Sequence, residues 1–353
     1  MAPKIFMTGA TGYIGGDVLF ELSQTHPDWN ITALVRNSAK GANVAQSYPR
    51  VTLVYGDLDS ADLIEEEASK ADIVYHCADC DHISSAKAIS RGLARSLAPT
   101  SSFWIHTSGA AIILANDSPS TMTWGSTFSK VYNDWDGVTE LTSLPDSAHH
   151  RPVDKVVLAA SSSVPVPEKV KTAIVCPPLI WGRGRGPGNT RSIQAYDAAR
   201  LMLRMRQAFV VGKGENKWNE VHVEDLSKLY VLLGEAAVNG GPPATWNEKG
   251  YYLAENGEVI WGELMREMAK EAYSQGLLES QAVKTLSEEE ANELKPYLAA
   301  IIGSESRGES IRGKRLLGWT PSGRKIKDEV RTIVMDEAMA LGLIKSHTEN
   351  VAA

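Results

Sequence analysis

Glycines at 9, 12 and 15 are set three apart in Thr8-Gly9-Ala10-Thr11-Gly12-Tyr13-Ile14-Gly15, a spacing that could hold a phosphate. Each has a mechanical use: a tight turn, close backbone approach to a pyrophosphate, and close helix–strand packing. The N–H groups of Tyr13 and Ile14 would point out of a helix N-terminus, where the dipole favours an anion. Arg36 stands where a domain preferring NAD would place Asp or Glu for the ribose 2′-hydroxyl. Its guanidinium suits a 2′-phosphate instead, with Lys40 to help. Together these residues predict NADP(H) as the cofactor. Cys77 and Cys80 have the C-x-x-C spacing of a redox pair. Cys77 ends a buried strand, however, and nothing beside it lowers its pKa, so packing near the cofactor is the better reading. No Cys/His cluster has metal-ligand spacing.

These residues need elements to hold them. Ile5 to Met7 is a short apolar run that reads as a buried strand, and Val18, Leu19, Phe20 and Leu22 give the following run a helical face. Further strands are predicted at 31–35, 51–55, 72–77, 103–107 and 171–175, with helices at 62–70 and 84–97 between them. Strands and helices alternating at this length imply right-handed crossovers and a parallel sheet. Ligands of such a sheet bind beyond the strand C-terminal ends, which places His76, Ala78 and the 79–82 loop, with Asp79, Asp81 and His82, near the mouth of a site. The fold class is α/β, a doubly wound parallel Rossmann sheet with a smaller, discontinuous C-terminal substrate region. Residues 1–176 plus 221–240 are assigned to the cofactor domain, and 177–220 plus 241–345 to the substrate region.

Composition narrows the class. At 353 residues, 43% hydrophobic and 22% charged, the chain has the make-up of a globular protein. A formal net charge of −7 without a long Lys/Arg run argues against a nucleic-acid surface. No apolar run reaches membrane-spanning length, the start leads straight into a strand, and the last residues carry no retention or peroxisomal signal. Three cysteines suit a reducing compartment. A cytoplasmic protein acting on a small molecule, without membrane or nucleic-acid partner, is expected, and a homodimer stays open as its assembly.

Thr-Gly-Ala-Thr-Gly-Tyr-Ile-Gly at 8–15 resembles the cofactor loop of extended short-chain dehydrogenases/reductases, the epimerase/dehydratase-like group. Gly56-Asp57-Leu58, Cys176-Pro177-Pro178-Leu179-Ile180-Trp181-Gly182, Val221-His222-Val223-Glu224-Asp225-Leu226 and Leu317-Gly318-Trp319-Thr320-Pro321 follow in family order. The resemblance implies that Asp57 and Leu58 hold the adenine, that Cys77 and Ala78 lie along the cofactor, and that the backbone of Pro178, Leu179 and Ile180 meets the nicotinamide. The glycine-rich loop 182–188 would line the substrate mouth, where Arg183 and Arg185 could greet an anion.

Two departures from the family pattern bear on catalysis. The strand at 103–107 ends in Ser108-Gly109-Ala110, which puts Gly109 on the usual catalytic serine and Ser108 one residue before it. The family's Tyr-x-x-x-Lys aligns with Arg151-Pro152-Val153-Asp154-Lys155. Lys155 fits the lysine, which in relatives binds the nicotinamide ribose. Arg151 cannot replace a tyrosine acid, because it does not give up its proton, but its fork can clamp an anion. A long insertion, 112–148, holds Tyr132, Asp134 and Asp136. Tyr132 and His150, with His149 beside it, are the available proton donors, and His150 titrates near neutrality. The predicted activity is NADP(H)-dependent reduction of a small-molecule carbonyl or imine through a non-standard site. Two alternatives remain: non-redox isomerisation, dehydration or cyclisation with Arg151 as clamp, and a cofactor-sensing regulator of the nitrogen-metabolite-repression type.

Overall fold

The computed structural model describes residues 2–96, 101–116, 123–162 and 169–344. The end of the predicted 84–97 helix, residues 117–122 of the 112–148 insertion, residues 163–168 and the C-terminal tail fall outside them. Strands β1 (Lys4–Thr8), β2 (Asn30–Val35), β3 (Thr52–Tyr55), β4 (Ile73–His76), β5 (Ser102–Thr107), β6 (Tyr132–Asn133) and β7 (Val170–Cys176) alternate with helices α1 (Tyr13–Thr25), α2 (Ser38–Ser47), α3 (Ala61–Lys70), α4 (Ile83–Ala94), α5 (Val138–Thr142) and α6 (Arg151–Ala159). The second part adds β8 (Leu179–Trp181), α7 (Gln194–Met205), β9 (Ala208–Val211), β10 (Lys217–His222), α8 (Val223–Val238), β11 (Tyr251–Leu253), β12 (Glu258–Ile260), α9 (Trp261–Ser274), β13 (Val283–Leu286), α10 (Glu288–Leu294), α11 (Leu298–Gly303), β14 (Gly308–Glu309), α12 (Arg312–Leu317) and α13 (Val330–Ala340).

The main sheet has seven parallel strands in the order β11-β7-β5-β4-β1-β2-β3. Order reverses between β1 and β4, so the strand ends there open a crevice of the kind that binds ligands in open α/β sheets. Two apolar layers cover the sheet: one joins α1 and α8 over Met7, Ile105 and Tyr230, the other joins α3, α4 and α6 over Phe6, Val74 and Trp104. A third core, built on α7, α9 and α13 around Phe209, Trp261 and Ile333, belongs to the smaller region. Its β12-β10-β8 sheet and the β13-β9 pair sit beside it.

The domain boundary differs from expectation at one point. Tyr251–Leu253, inside the predicted 241–345 substrate segment, pairs with β7 as the edge strand of the main sheet. Its three side chains are buried, so burial on both faces overrode the loop-like composition before it. No helix among the described residues is long and apolar enough to cross a membrane.

Candidate functional site

The turn after β1 is where the sequence required glycine. Gly9 has φ +82°, and a side-chain carbon there would lie 2.4 Å from the Cys77 carbonyl oxygen. One on Gly15 would lie 2.4 Å from the Gly9 carbonyl oxygen. Both glycines therefore let β1, β4 and α1 touch. Gly12 caps α1 with no side-chain hydrogen bond, which leaves the first-turn N–H groups of Tyr13 and Ile14 free of a capping side chain. Thr11 gives its carbonyl oxygen to the Asn189 N–H at 3.0 Å. A cradle of this shape fits a dinucleotide pyrophosphate on backbone N–H groups.

A cavity of about 720 Å³ opens beside this turn, between the main sheet and the smaller region. Tyr13, Ile14, Cys77, Pro178 and Ile180 line one side of it. Ser108, Gly109, His149, His150 and Asp81 line the wall beyond β5, and Ile193, Trp218, Tyr297 and Ile301 come from the smaller region. Its volume and mixed lining are those of a small-molecule site. A second cavity of equal volume, lined by Glu220, Glu258, Arg266 and Lys325, holds none of the predicted residues.

His150 is positioned by backbone and partner together. It caps the N-terminus of α6 in the left-handed region, at φ 64°. Its Nδ1 meets Asp81 Oδ1 at 2.8 Å and Cys80 Sγ at 3.3 Å. Burial alone would lower its pKa, but these two partners outweigh that and raise it to about 10. Asp81 responds in the opposite sense: its bond to His150 holds it below the ordinary carboxylate range. The other ring nitrogen, Nε2, lies over Gly109, where a side-chain carbon would come within 2.9 Å of it. The imidazole thus occupies the space that a serine at 109 would need. Cys80, Asp81 and His150 bring their ligand-type atoms within 4.8 Å of one another, a convergence of residues 70 apart in the chain that linear spacing could not show.

Ser108 also reaches the cavity, backed by groups that the sequence did not single out. Its Oγ donates to Asp154 Oδ2 at 3.1 Å, and the Tyr251 phenol donates to the same oxygen at 3.1 Å. Asp154 is wholly buried, and burial pushes its carboxyl up to about 7. Its Oδ1 lies 3.7 Å from His106 Nε2, and among the described residues neither atom has another partner. His106 Nδ1 meets His76 Nδ1 at 3.0 Å. Burial lowers the pKa of both imidazoles, with His76 at about 4. Thr107 turns the other way, its hydroxyl bonded to Tyr230 at 2.6 Å in the core.

Several predicted residues lie elsewhere. Lys155 holds Asp146 at 2.8 Å on the surface, because the buried stripe of α6 runs through 151, 153, 154 and 157 and turns 155 outward. It does not line the cavity. Arg151 is buried and gives Nη2 to the Thr142 carbonyl at 2.7 Å, also off the cavity wall. Tyr132 is a core residue of β6, paired with β14, rather than a cavity group. Arg36 is exposed just past β2, and Lys40 lies in the first turn of α2, its N–H accepted by Asn37 Oδ1. Asp57 is exposed and accepts from Ser60 Oγ at 3.0 Å, with Leu58 half-buried next to it. Cys77 is buried and its thiol is pushed up to about 12, which suits packing and not redox exchange. Ala78 follows it, and Leu179 is buried in β8. Arg185 pairs with Asp17 at 2.6 Å and Glu21 at 2.9 Å, so its charge is already taken.

Asp154 carried a signal that could have been read. On a helix starting at 151, an acid flanked by Val153 and Val157 falls on the apolar stripe, where a charge needs a reason.

A family model of NAD(P)H-binding domains matches residues 9–101. An Acremonium protein named oxidase ucsJ is 36% identical over 350 residues, covering 97% of this chain and 100% of its own. The uncharacterized protein YLL056C of Saccharomyces cerevisiae is 23% identical over 341 residues, covering 93% and 98%. Among solved structures, a double mutant of DesIV, a dTDP-glucose 4,6-dehydratase of Streptomyces venezuelae, superposes with a TM-score of 0.64 at 17% identity, covering 96% and 98%. The Burkholderia pseudomallei PbgP3 protein gives 0.65 at 13% identity, covering 96% and 97%. On this sequence relationship, and with the glycine turn, sheet order and crevice described above, the chain belongs to the extended, epimerase/dehydratase-like short-chain dehydrogenases/reductases, on an NAD(P)-binding oxidoreductase scaffold.

Proposed function

We propose that this protein is an NADP(H)-dependent oxidoreductase that interconverts a small-molecule carbonyl or imine with its reduced form. The observation that carries the reading is the His150 imidazole, fixed by Asp81 over Gly109 and facing the cavity that the glycine turn borders. Bound NADP(H) would supply or accept the hydride. The cradle of Gly9, Thr11, Gly12, Tyr13, Ile14 and Gly15 would hold its pyrophosphate, Arg36 and Lys40 its 2′-phosphate, and Asp57 and Leu58 its adenine. Cys77, Ala78, Pro178, Leu179 and Ile180 would run along the remainder. His150, a cation up to about pH 10, would donate a hydrogen bond to the substrate oxygen or nitrogen and stabilise the negative charge that develops there. The relative named an oxidase is consistent with redox work in either direction. Arg151 off the cavity wall disfavours the non-redox clamp, and a pure sensor would have no use for a cationic imidazole in the substrate wall.

NADPH absorbance with a panel of carbonyls and imines tests this reading. Substrate-dependent oxidation is expected, with NADPH bound at least about tenfold more tightly than NADH, about 1.4 kcal/mol. Arg36→Ala should remove that preference. Equal affinities in the wild type would overturn the 2′-phosphate assignment, and no oxidation with any substrate would overturn the activity.

A further inference from the structure

Reduction of a carbonyl needs one proton on its oxygen, and His150 is held as a cation by two partners that resist its deprotonation. The wall of the same cavity carries a second polar group, Ser108, whose hydroxyl is bonded to a carboxyl with no solvent exposure. That carboxyl has one oxygen taken by Ser108 and Tyr251. Its other oxygen faces His106 Nε2 across 3.7 Å, each the only unpartnered polar side-chain atom of its residue among those described. Behind His106 stands His76 at 3.0 Å, and His76 Nε2 reaches Ser85 Oγ at 3.4 Å toward the start of α4. A buried acid with an open oxygen aimed at an open imidazole nitrogen is costly unless a proton is shared among the groups.

We propose that Ser108 is the proton donor of the reaction and that Asp154, acting through Ser108, is its proton source, with His106 and His76 as the buried route that recharges it. The proposal rests on the hydride-transfer reading above. As a hydride reaches the carbonyl carbon, the C–O π pair moves to oxygen, and Ser108 Oγ–H gives that oxygen its proton. The proton of neutral Asp154 passes to Ser108 Oγ, and Asp154 is left as the carboxylate seen bonded to the hydroxyl. His106 Nε2–H then returns a proton to Asp154 Oδ1 while its Nδ1 takes one from His76 Nδ1, and His76 Nε2 takes one from Ser85 Oγ, which solvent at the start of α4 resupplies. Both imidazoles so stay neutral, and a turn of the neutral carboxyl brings its proton back toward Ser108. Oxidation of an alcohol runs the same transfers backwards. Burial sets Asp154 near 7, close to a working pH, where proton exchange in both directions is efficient. The titratable and charged groups facing it are His106 on β5, Cys176 on β7, Tyr251 on β11, and His150 and Arg151 at the start of its own helix.

Two measurements on the full-length protein decide the matter. In infrared titration, subtracting Asp154→Asn from the wild type should leave a carboxylic-acid band that disappears with a midpoint near pH 7. Ser108→Ala should move that midpoint upward, because it removes a hydrogen bond to the ionised form. In the pH profile of kcat/KM for NADPH-dependent reduction, the wild type should fall tenfold per pH unit above about 7. Asp154→Asn should remove that break and lower the plateau by about 10²-fold or more. A break near 7 that persists in Asp154→Asn, or a band midpoint that Ser108→Ala leaves in place, overturns the proposal. Should Asp154→Asn fail to fold, the Ser108→Ala shift of the wild-type band alone decides. If the wild type transfers no hydride at any pH, the hydride reading fails separately, and the infrared arm still decides whether Ser108 and Asp154 share a proton.

Discussion

At the scale of residues, the chemistry proposed for this site depends on one pairing: Gly109, which carries no side chain, and the His150 imidazole standing over it. The imidazole can stand over Gly109 only because no side chain projects there. Gly109→Ser, which puts a side chain into that space, should therefore displace His150 from Asp81. His150→Gln removes the cation outright, and one such donor to a developing oxyanion is worth about 10²–10³ in kcat. Both variants are expected to lose at least that tenfold-squared factor while NADPH affinity, read by fluorescence, stays within a few-fold of the wild type. Retained turnover in both would sink the role given to His150. The pair also stabilises the fold in a defined window. The folded pKa of His150 is raised above an unfolded value of about 6.5, so its contribution is fully present below that pH and fades as pH rises through about 10. Thermal unfolding of Asp81→Asn should lose that dependence, since without the carboxylate the largest raising partner is gone.

At the scale of elements, the first turn shows which glycines serve the fold and which serve a ligand. Side chains at 9 or 15 would strike main-chain atoms at 2.4 Å, so Gly9→Val and Gly15→Val should unfold the protein or lower its melting temperature sharply. Gly12 is different: its nearest obstacle is the Gly9 carbonyl oxygen at 3.1 Å, which a small shift accommodates. Gly12→Val should keep circular dichroism and melting close to the wild type yet abolish the NADPH-induced rise in melting temperature. A persisting shift would mean that the loop does not cradle the phosphates. Elements of this kind were legible because period and punctuation are local. The apolar runs at 5–7, 31–35 and 103–107 became β1, β2 and β5 within a residue. The cavity wall was only half legible. Ser108, His150 and Asp81 could be named from their places at strand and helix ends. Helix phase decided the rest: taking the Tyr-x-x-x-Lys spacing as inward put Lys155 in the site, whereas α6 buries 151 and 154 and exposes 155. Tyr132 failed for a related reason, since a two-residue strand carried it into the core. The pairing of Cys80, Asp81 and His150, or of Asp154 with His106 on β5, spans tens of residues and belongs to tertiary structure alone.

At the scale of the molecule, the smaller region is fastened to the cofactor domain next to the cradle. Arg185, in the glycine-rich loop, sends its backbone N–H and its guanidinium to Asp17 on α1, which is fully buried and also accepts from Ser227 on α8. Removing one partner of a buried pair leaves the other uncompensated, typically at 3–5 kcal/mol. Ser227 and the loop N–H remain in Arg185→Ala, so a loss near the low end, about 3 kcal/mol, is expected in denaturant unfolding. Arg183→Ala, on an exposed residue of the same loop, should change stability by less than about 0.5 kcal/mol. A loss in Arg183→Ala as large as in Arg185→Ala would refute the fastening role.

Hydride transfer itself is open to a direct measurement. Wild-type protein is incubated with NADPH deuterated at the transferable C4 position and a panel of carbonyls and imines, and products are read by mass spectrometry. An NADP(H)-dependent reductase gives a product carrying one deuterium on the former carbonyl or imine carbon, in amounts equal to the NADPH consumed. Product without deuterium and with NADPH intact would contradict that activity and favour isomerisation, dehydration or cyclisation on the same scaffold. No product at all, with NADPH still bound, would contradict catalysis altogether.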